Sequence, residues 1–292
     1  MYDFLLVADS GTTKTDWRVV RVADEKTIAF ATEGINPVFQ SVKVLDTLIC
    51  EVAQKTLEFV KDGKLAIHYY GAGLSASDEA EEKFLEVLKK YFAQAKIVLA
   101  SDCTGAAHAL CGHNAGVVCI MGTGSNACLY DGEKIVASGK GGGFILGDEG
   151  GGANLGKRLV ADYVKNLLPP EITEELERDF GFSYSEVIDR VYRMPMPNRY
   201  LASFAPYIAK HKDNLHIRAL IEASFDDFIT RNILQYDKKY SMNVVGSMAY
   251  YFEDILRSVA QKRNVDVAKI LKSPIDELVK FQLTNYKKNE IN

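Results

Sequence analysis

Short apolar runs and helical stripes alternate along this chain. Phe4 to Ala8 is continuously apolar, and a second apolar-rich run follows after a few polar positions. Residues 3–8 and 15–22 therefore read as an antiparallel hairpin, with 26–32 as a third strand. Val44, Leu48, Val52 and Phe59 recur near every fourth position, which predicts a helix over 42–60. A strand over 65–70 runs into Gly71. Ser77 reads as the cap of a helix with Phe84, Leu85, Leu88 and Phe92 on one face, and 96–100 is a strand ending at Ser101 and Asp102. Hairpin strands followed by strand–helix alternation imply an α/β protein, a mixed sheet with helices on its faces.

The order restarts at Gly116 with strand, glycine turn, strand and a further strand over 134–137, so the architecture reads as duplicated. Seven of the twelve residues 141–152 are glycine, which no ordinary element interior tolerates. Residues 153–167 read as a helix stopped by Pro169 and Pro170. Residues 171–240 look helical, broken at Met194 to Asn198, with Ile217, Leu220, Ile221, Phe225, Phe228 and Ile229 on one face. A strand over 242–245, a turn at Gly246 and Ser247, a helix over 251–263 and a last helix around Leu278 complete the pattern.

Two turns hold the most chemistry. Asp9 to Asp16 (DSGTTKTD) and Met121 to Asn126 (MGTGSN) each join two strands. Glycine lets backbone N–H groups approach an anion, and hydroxyls add donors. An ordinary hairpin turn would use similar residues, but hydroxyls and a lysine crowd the first. Neither is a phosphate loop of the G-x-x-x-x-G-K-[ST] kind; as dinucleotide fingerprints, Gly71 to Ala76 sits between a strand and a helix but its next strand-end acid, Asp102, is too distant, and Gly122 to Ala127 is followed by a strand rather than a helix. They read as two halves of a polyphosphate cradle, with Asp9 placed to hold Mg²⁺ directly or through water.

Asp102, at the C-terminal end of a strand, points to the usual ligand crevice of an α/β sheet and is the candidate general base; a helix cap is the plainer role. Asp148 and Glu149 lie between glycines, which suits polyol or metal binding better than simple solvation. His108 and His113 have no matching ligand set and read as structural.

The 292 residues, 47% hydrophobic and 25% charged, suit a soluble globular protein of one or two domains. With a net charge of −4 and dispersed lysines there is no nucleic-acid footprint. No apolar stretch approaches the roughly 20 residues of a membrane span. The N-terminal residues lack a basic segment and cleavage site, so a cytoplasmic location is expected, and the five scattered cysteines read as reduced, small buried hydrophobes.

Together these strings resemble the acetate kinase, heat-shock ATPase and actin superfamily, and within it the N-acetylglucosamine kinase branch grouped with the BadF/BadG/BcrA/BcrD ATPases. The resemblance implies a duplicated ribonuclease H-like fold of two domains, 1–104 joined by a C-terminal helix at about 275–292, and 105–274, with a cleft between. It implies ATP and Mg²⁺, with Gly11, Thr12, Thr13, Lys14, Thr15, Gly122, Thr123, Gly124, Ser125, Gly246 and Ser247 on the nucleotide. Asp9 would serve the metal. Asn36, Asp102, Asn126, Gly142, Gly143, Phe144 and Asp148 would face the sugar, with Asp102 as base toward a 6-hydroxyl. The expected reaction is phosphorylation of N-acetylglucosamine by a homodimer, with no nucleic-acid or membrane partner. Gly142 falls where the family's sugar kinases often carry an aromatic, so the sugar wall differs. An ATPase that activates a dehydratase, or a non-catalytic sensor, are the alternatives.

Overall fold

A computed structural model describes residues 2–11, 13–74 and 77–288. The chain folds as two units, Met1–His113 with Pro274–Asn292, and Asn114–Ser273. The first contains β1 (Phe4–Ser10), β2 (Lys14–Arg21), β3 (Thr27–Glu33), α1 (Val42–Val60), β4 (Leu65–Gly71), α2 (Asp78–Tyr91), β5 (Lys96–Ser101) and α3 (Asp102–Cys111). Its sheet runs β3-β2-β1-β4-β5, antiparallel across the hairpins and parallel from β1 through β5. Register sets Ser10 opposite Thr15 and Gly71, and Gly71 opposite Ser101. The ends of β1, β4 and β5 thus share one edge, and Asp102 follows there.

β1 is buried along most of its length because helices cover the parallel strands. Leu6, Trp17, Tyr69 and Phe84 pack in this core. Helix α1 buries Leu45, Ile49, Val52, Ala53, Thr56 and Val60, and Val44 is exposed. The buried stripe thus runs through Leu45, Ile49, Val52 and Thr56, one position on from the Val44 and Leu48 of the sequence pattern, and Ser41 caps the helix on the Val44 N–H.

The second unit contains β6 (Gly116–Met121), β7 (Ser125–Tyr130), β8 (Ile135–Ser138), α4 (Gly143–Leu146), α5 (Gly152–Val164), α6 (Pro170–Phe180), α7 (Tyr184–Tyr192), α8 (Pro197–Ala202), α9 (Ala205–Lys210) and α10 (Leu215–Phe228). A π-helical turn over Ile229–Ile233 follows, then β9 (Met242–Val245), α11 (Ser247–Tyr251), α12 (Glu253–Lys262) and β10 (Val267–Leu271). Its sheet, β8-β7-β6-β9-β10, repeats the order and strand directions of the first. This repeated arrangement is the duplicated ribonuclease H-like α/β fold expected from the sequence.

Three local features differ from the sequence reading. The expanse 171–240 is several short helices, divided at Gly181, at Met194 to Met196 and near His211. The helix expected over 251–263 is interrupted at Phe252, whose ring is fully buried. β10 had no periodic signal; it exists through parallel pairing with β9. The C-terminal helix α13 (Ile275–Lys288) packs on α3, β1 and β2 of the first unit. There Gln282 donates to the Tyr70 hydroxyl, and Phe281 stacks on His108 with centroids 4.2 Å apart.

Candidate functional site

In the first unit, β1 carries Asp9 opposite Asp16 on β2. Asp9 lies deep among protein atoms. Burial lifts its carboxyl to about 7, repulsion from Asp16 and then Asp102 adds to that, and Lys14 opposes it. Lys14 pairs with Asp16 at 2.7 Å. The Gly11 N–H donates to the Lys14 carbonyl at 3.0 Å and closes the turn. Thr13 is exposed, and Thr12 lies outside the described residues. Thr15 is fully buried, its hydroxyl 2.7 Å from that of Ser10, so it braces the turn from within. Asn36 is fixed in its loop: its N–H donates to Gln40 at 2.8 Å and its Oδ1 accepts the Val38 N–H at 3.1 Å.

Asp102 is the first residue of α3, and the cap itself is Ser101, whose hydroxyl accepts the Thr104 N–H at 3.1 Å. Asp102 Oδ1 accepts the Cys103 N–H at 2.8 Å. Burial nevertheless pushes its carboxyl above the usual range, the Cys103 bonds opposing. A carboxylate so placed is anchored and readily protonated, the properties of a general base.

In the second unit, the turn between β6 and β7 is clasped by the start of α5. Gly152 and Ala153 N–H donate to the carbonyls of Gly122 and Thr123, both at 2.8 Å. β9 closes on the same turn at Gly246, with φ +134°; a Cβ there would stand 2.1 Å from the Met121 carbonyl oxygen. Beside the turn lies a cavity of about 530 Å³. Thr123 and Ser247 give it a hydroxyl-bearing side; Ala205, Pro206, Met248 and Phe252 give it an apolar side. Its size suits a small-molecule site.

A second pocket, about 200 Å³, is lined by Asn126, Lys140, Gly142, Asp148, Glu149 and Arg231, among others. Asp148 Oδ1 accepts the Ser125 N–H at 3.2 Å, and the Ser125 hydroxyl donates to the Glu149 carbonyl at 2.6 Å. Burial, chiefly, raises the Asp148 carboxyl. Gly143 and Phe144 do not line this pocket; Phe144 packs on the core and its carbonyl accepts from Lys157 at 2.9 Å. Beneath the segment, Gly150 N–H donates to Ser224, whose hydroxyl donates to Asn154 at 2.8 Å; Arg158 holds Asn154 and Asp227.

The sequence reading missed Lys140, Arg231, Asn154 and Ser224. A polar Asn154 on the buried face of α5 was the one available signal; Lys140 and Arg231 look like surface charges until the fold brings them together. No helix among the described residues is long and apolar enough to cross a membrane.

No protein-family model matches the chain, and no curated protein does. Solved structures do. A candidate N-acetylglucosamine kinase from Porphyromonas gingivalis is 36% identical, over 97% of this chain and 99% of its own, with TM-score 0.91. A candidate N-acetylglucosamine kinase from Chromobacterium violaceum is 16% identical, over 96% and 99%, with TM-score 0.74. A candidate N-acetylmannosamine kinase from Listeria monocytogenes is 13% identical, over 99% and 100%, with TM-score 0.53. The last two are likenesses of fold alone. On the first, the chain belongs to the N-acetylglucosamine kinase-like family.

Proposed function

We propose that this chain is an ATP-dependent amino-sugar kinase that converts N-acetylglucosamine to N-acetylglucosamine 6-phosphate. One observation carries the reading. Two glycine–hydroxyl turns occupy equivalent positions in two matching sheets, and an anchored carboxylate, Asp102, follows β5 at the sheet edge where β1 enters the first turn. The duplicated turns suit a polyphosphate, and the carboxylate suits the hydroxyl that attacks it.

Gly11, Thr12, Thr13 and Lys14 in the first unit, and Gly122, Thr123, Gly124 and Ser125 in the second, would bind phosphate oxygens. The cavity beside Gly246 and Ser247, polar on one side and apolar on the other, suits a nucleoside. Asn36, Asn126 and Asp148 would read sugar hydroxyls. The 6-hydroxyl oxygen attacks the γ-phosphorus, the bond to the β,γ-bridging oxygen breaks, the proton passes to Asp102 and ADP leaves.

Among the described residues no three His, Cys, Asp or Glu side chains form a metal cage. Mg²⁺ needs only one or two protein carboxylates when phosphate and water supply the rest. Asp9, crowded by Asp16 and Asp102, fits that donor set, since a cation would relieve their repulsion. When bound, Mg²⁺ neutralises phosphate charge.

A coupled ADP-release assay against a panel of amino sugars tests the proposal. Turnover that depends on an N-acetylated sugar and stops on chelation is expected. ATP hydrolysis indifferent to every sugar overturns it.

A further inference from the structure

Gly150, Gly151 and Gly152 follow Glu149 in the chain. Residues without side chains cannot be held by side-chain packing, and their backbone has the most conformational entropy to lose. Hydrogen bonds must fix them. Beyond them, Gly152 and Ala153 clasp the turn between β6 and β7; before them, Asp148 and Glu149 line the polar pocket. Gly150 lies between, at φ +75° and flat against α10, where a Cβ would stand 3.3 Å from Phe228 Cβ.

The Gly150 N–H donates to the Ser224 hydroxyl at 3.0 Å. That hydroxyl donates onward to Asn154 Oδ1 at 2.8 Å, and Arg158 Nε donates to the same oxygen at 2.9 Å. Arg158 also donates to Asp227 on α10. Each link has a single polarity. A guanidinium only donates, so it turns Oδ1, not the amide nitrogen, toward Ser224. The hydroxyl proton then goes to Asn154, and its lone pairs face Gly150. Ser224 is fully buried and Asn154 is 4% exposed. Apolar partners of the same shape would be about as stable as such a pair, so stability alone does not call for it. What the chain fixes is the backbone that carries Asp148. The π-helical turn after α10 grips that segment again: Arg231 lies 3.6 Å from Glu149, and Asn232 donates to Glu149 at 3.4 Å.

We propose that Asn154 and Ser224 are positioning residues for phosphoryl transfer, holding Asp148 in register for the acceptor sugar through the Gly150 backbone. The role rests on the kinase reading of the site and belongs to two residues that touch neither substrate. Without the Ser224 bond, Gly150 is free to shift and Asp148 drifts with it. The β6–β7 turn stays clasped by the Gly152 and Ala153 N–H groups, so the nucleotide side is spared.

Steady-state kinetics with N-acetylglucosamine and ATP test this in the unaltered protein, Ser224→Ala, Asn154→Leu, Asn154→Asp and Arg158→Gln. In Ser224→Ala and Asn154→Leu, kcat/KM for the sugar is expected to fall about a hundredfold, the cost of a misplacement near 1 Å. A sugar KM raised about tenfold should account for part of that fall, with the KM for ATP within about twofold. Partial unfolding would lower the apparent kcat and move neither KM. Asn154→Asp keeps an acceptor for both Ser224 and Arg158 and should stay within about threefold of normal. Arg158→Gln loosens Asn154 from a partly exposed position, so it probes the same chain if a buried change prevents folding; its sugar KM should rise about threefold. An unmoved sugar KM in the folded variants overturns the inference, as does a loss in Asn154→Asp equal to that in Asn154→Leu. If the unaltered protein phosphorylates no amino sugar, the kinase reading itself fails and this inference falls with it.

Discussion

Asp148 steadies the backbone of Ser125: its Oδ1 accepts the Ser125 N–H at 3.2 Å, and it fits there because Gly124 has no side chain. A Cβ on Gly124 would stand 2.8 Å from Asp148 Oδ2 and 2.9 Å from its Cγ. Gly124→Ala must therefore push the whole carboxylate away. KM for the sugar is expected to rise about tenfold, the size of one lost charge-assisted hydrogen bond, with little change in melting temperature. An unchanged KM would mean that Asp148 does not touch the sugar.

Gly246 faces a harder constraint. Its φ of +134° is one that side chains rarely adopt, and the atom in the way is the Met121 carbonyl oxygen at 2.1 Å, which belongs to the central strand β6. Gly246→Ala should destabilise the second unit by about 3 kcal/mol. Denaturant unfolding measures this, and a loss below about 0.5 kcal/mol, the range of ordinary surface substitutions, would contradict the geometry.

Two histidines under α13 make an acid-sensitive contribution to the stability of the first unit. Burial, with the Lys96 charge next, lowers His68 to about 4; burial, with His113 next, lowers His108 to about 4. His68 shares a hydrogen bond with Tyr286 and His108 with Tyr70. Between the ordinary histidine value and about pH 4 the unfolded chain binds more protons than the folded one. Stability is thus full above about pH 6.5 and is lost as pH falls toward 4. His68 alone accounts for at most about 3 kcal/mol of that loss. Asp9, held near 7, acts in the opposite sense over this window, so the difference between proteins is the readout: in denaturant melts between pH 7 and pH 5, His68→Gln should lose less stability, or gain more, than the unaltered protein. Equal slopes in both proteins would remove His68 from the explanation.

The sequence showed the elements that rest on local chemistry. The hairpin strands flanking Gly11 and Gly122 announce themselves by apolar runs around glycine turns, and the repeat of that pattern revealed the duplication. Choices made by tertiary packing were hidden. Val44 looked like part of the buried stripe of α1 and faces solvent. Asp102 looked like a cap, yet Ser101 does the capping and Asp102 begins the helix. β10 forms by pairing with distant residues. Arg231 reaches the Asp148 pocket from a π-helical turn, an irregularity that no periodicity in Ile217 to Ile229 foretells.

Asp102 offers the most direct test of the account. Asp102→Asn keeps the size and the acceptor oxygen that meets the Cys103 N–H, but it cannot take a proton from a sugar hydroxyl. Nucleotide-binding calorimetry and sugar-dependent ADP release, measured on the same folded preparation, separate binding from chemistry. The account predicts ATP affinity within a few-fold of the unaltered protein and a kcat lower by about a thousandfold, the scale of a lost general base. A kcat within a few-fold of normal would contradict it.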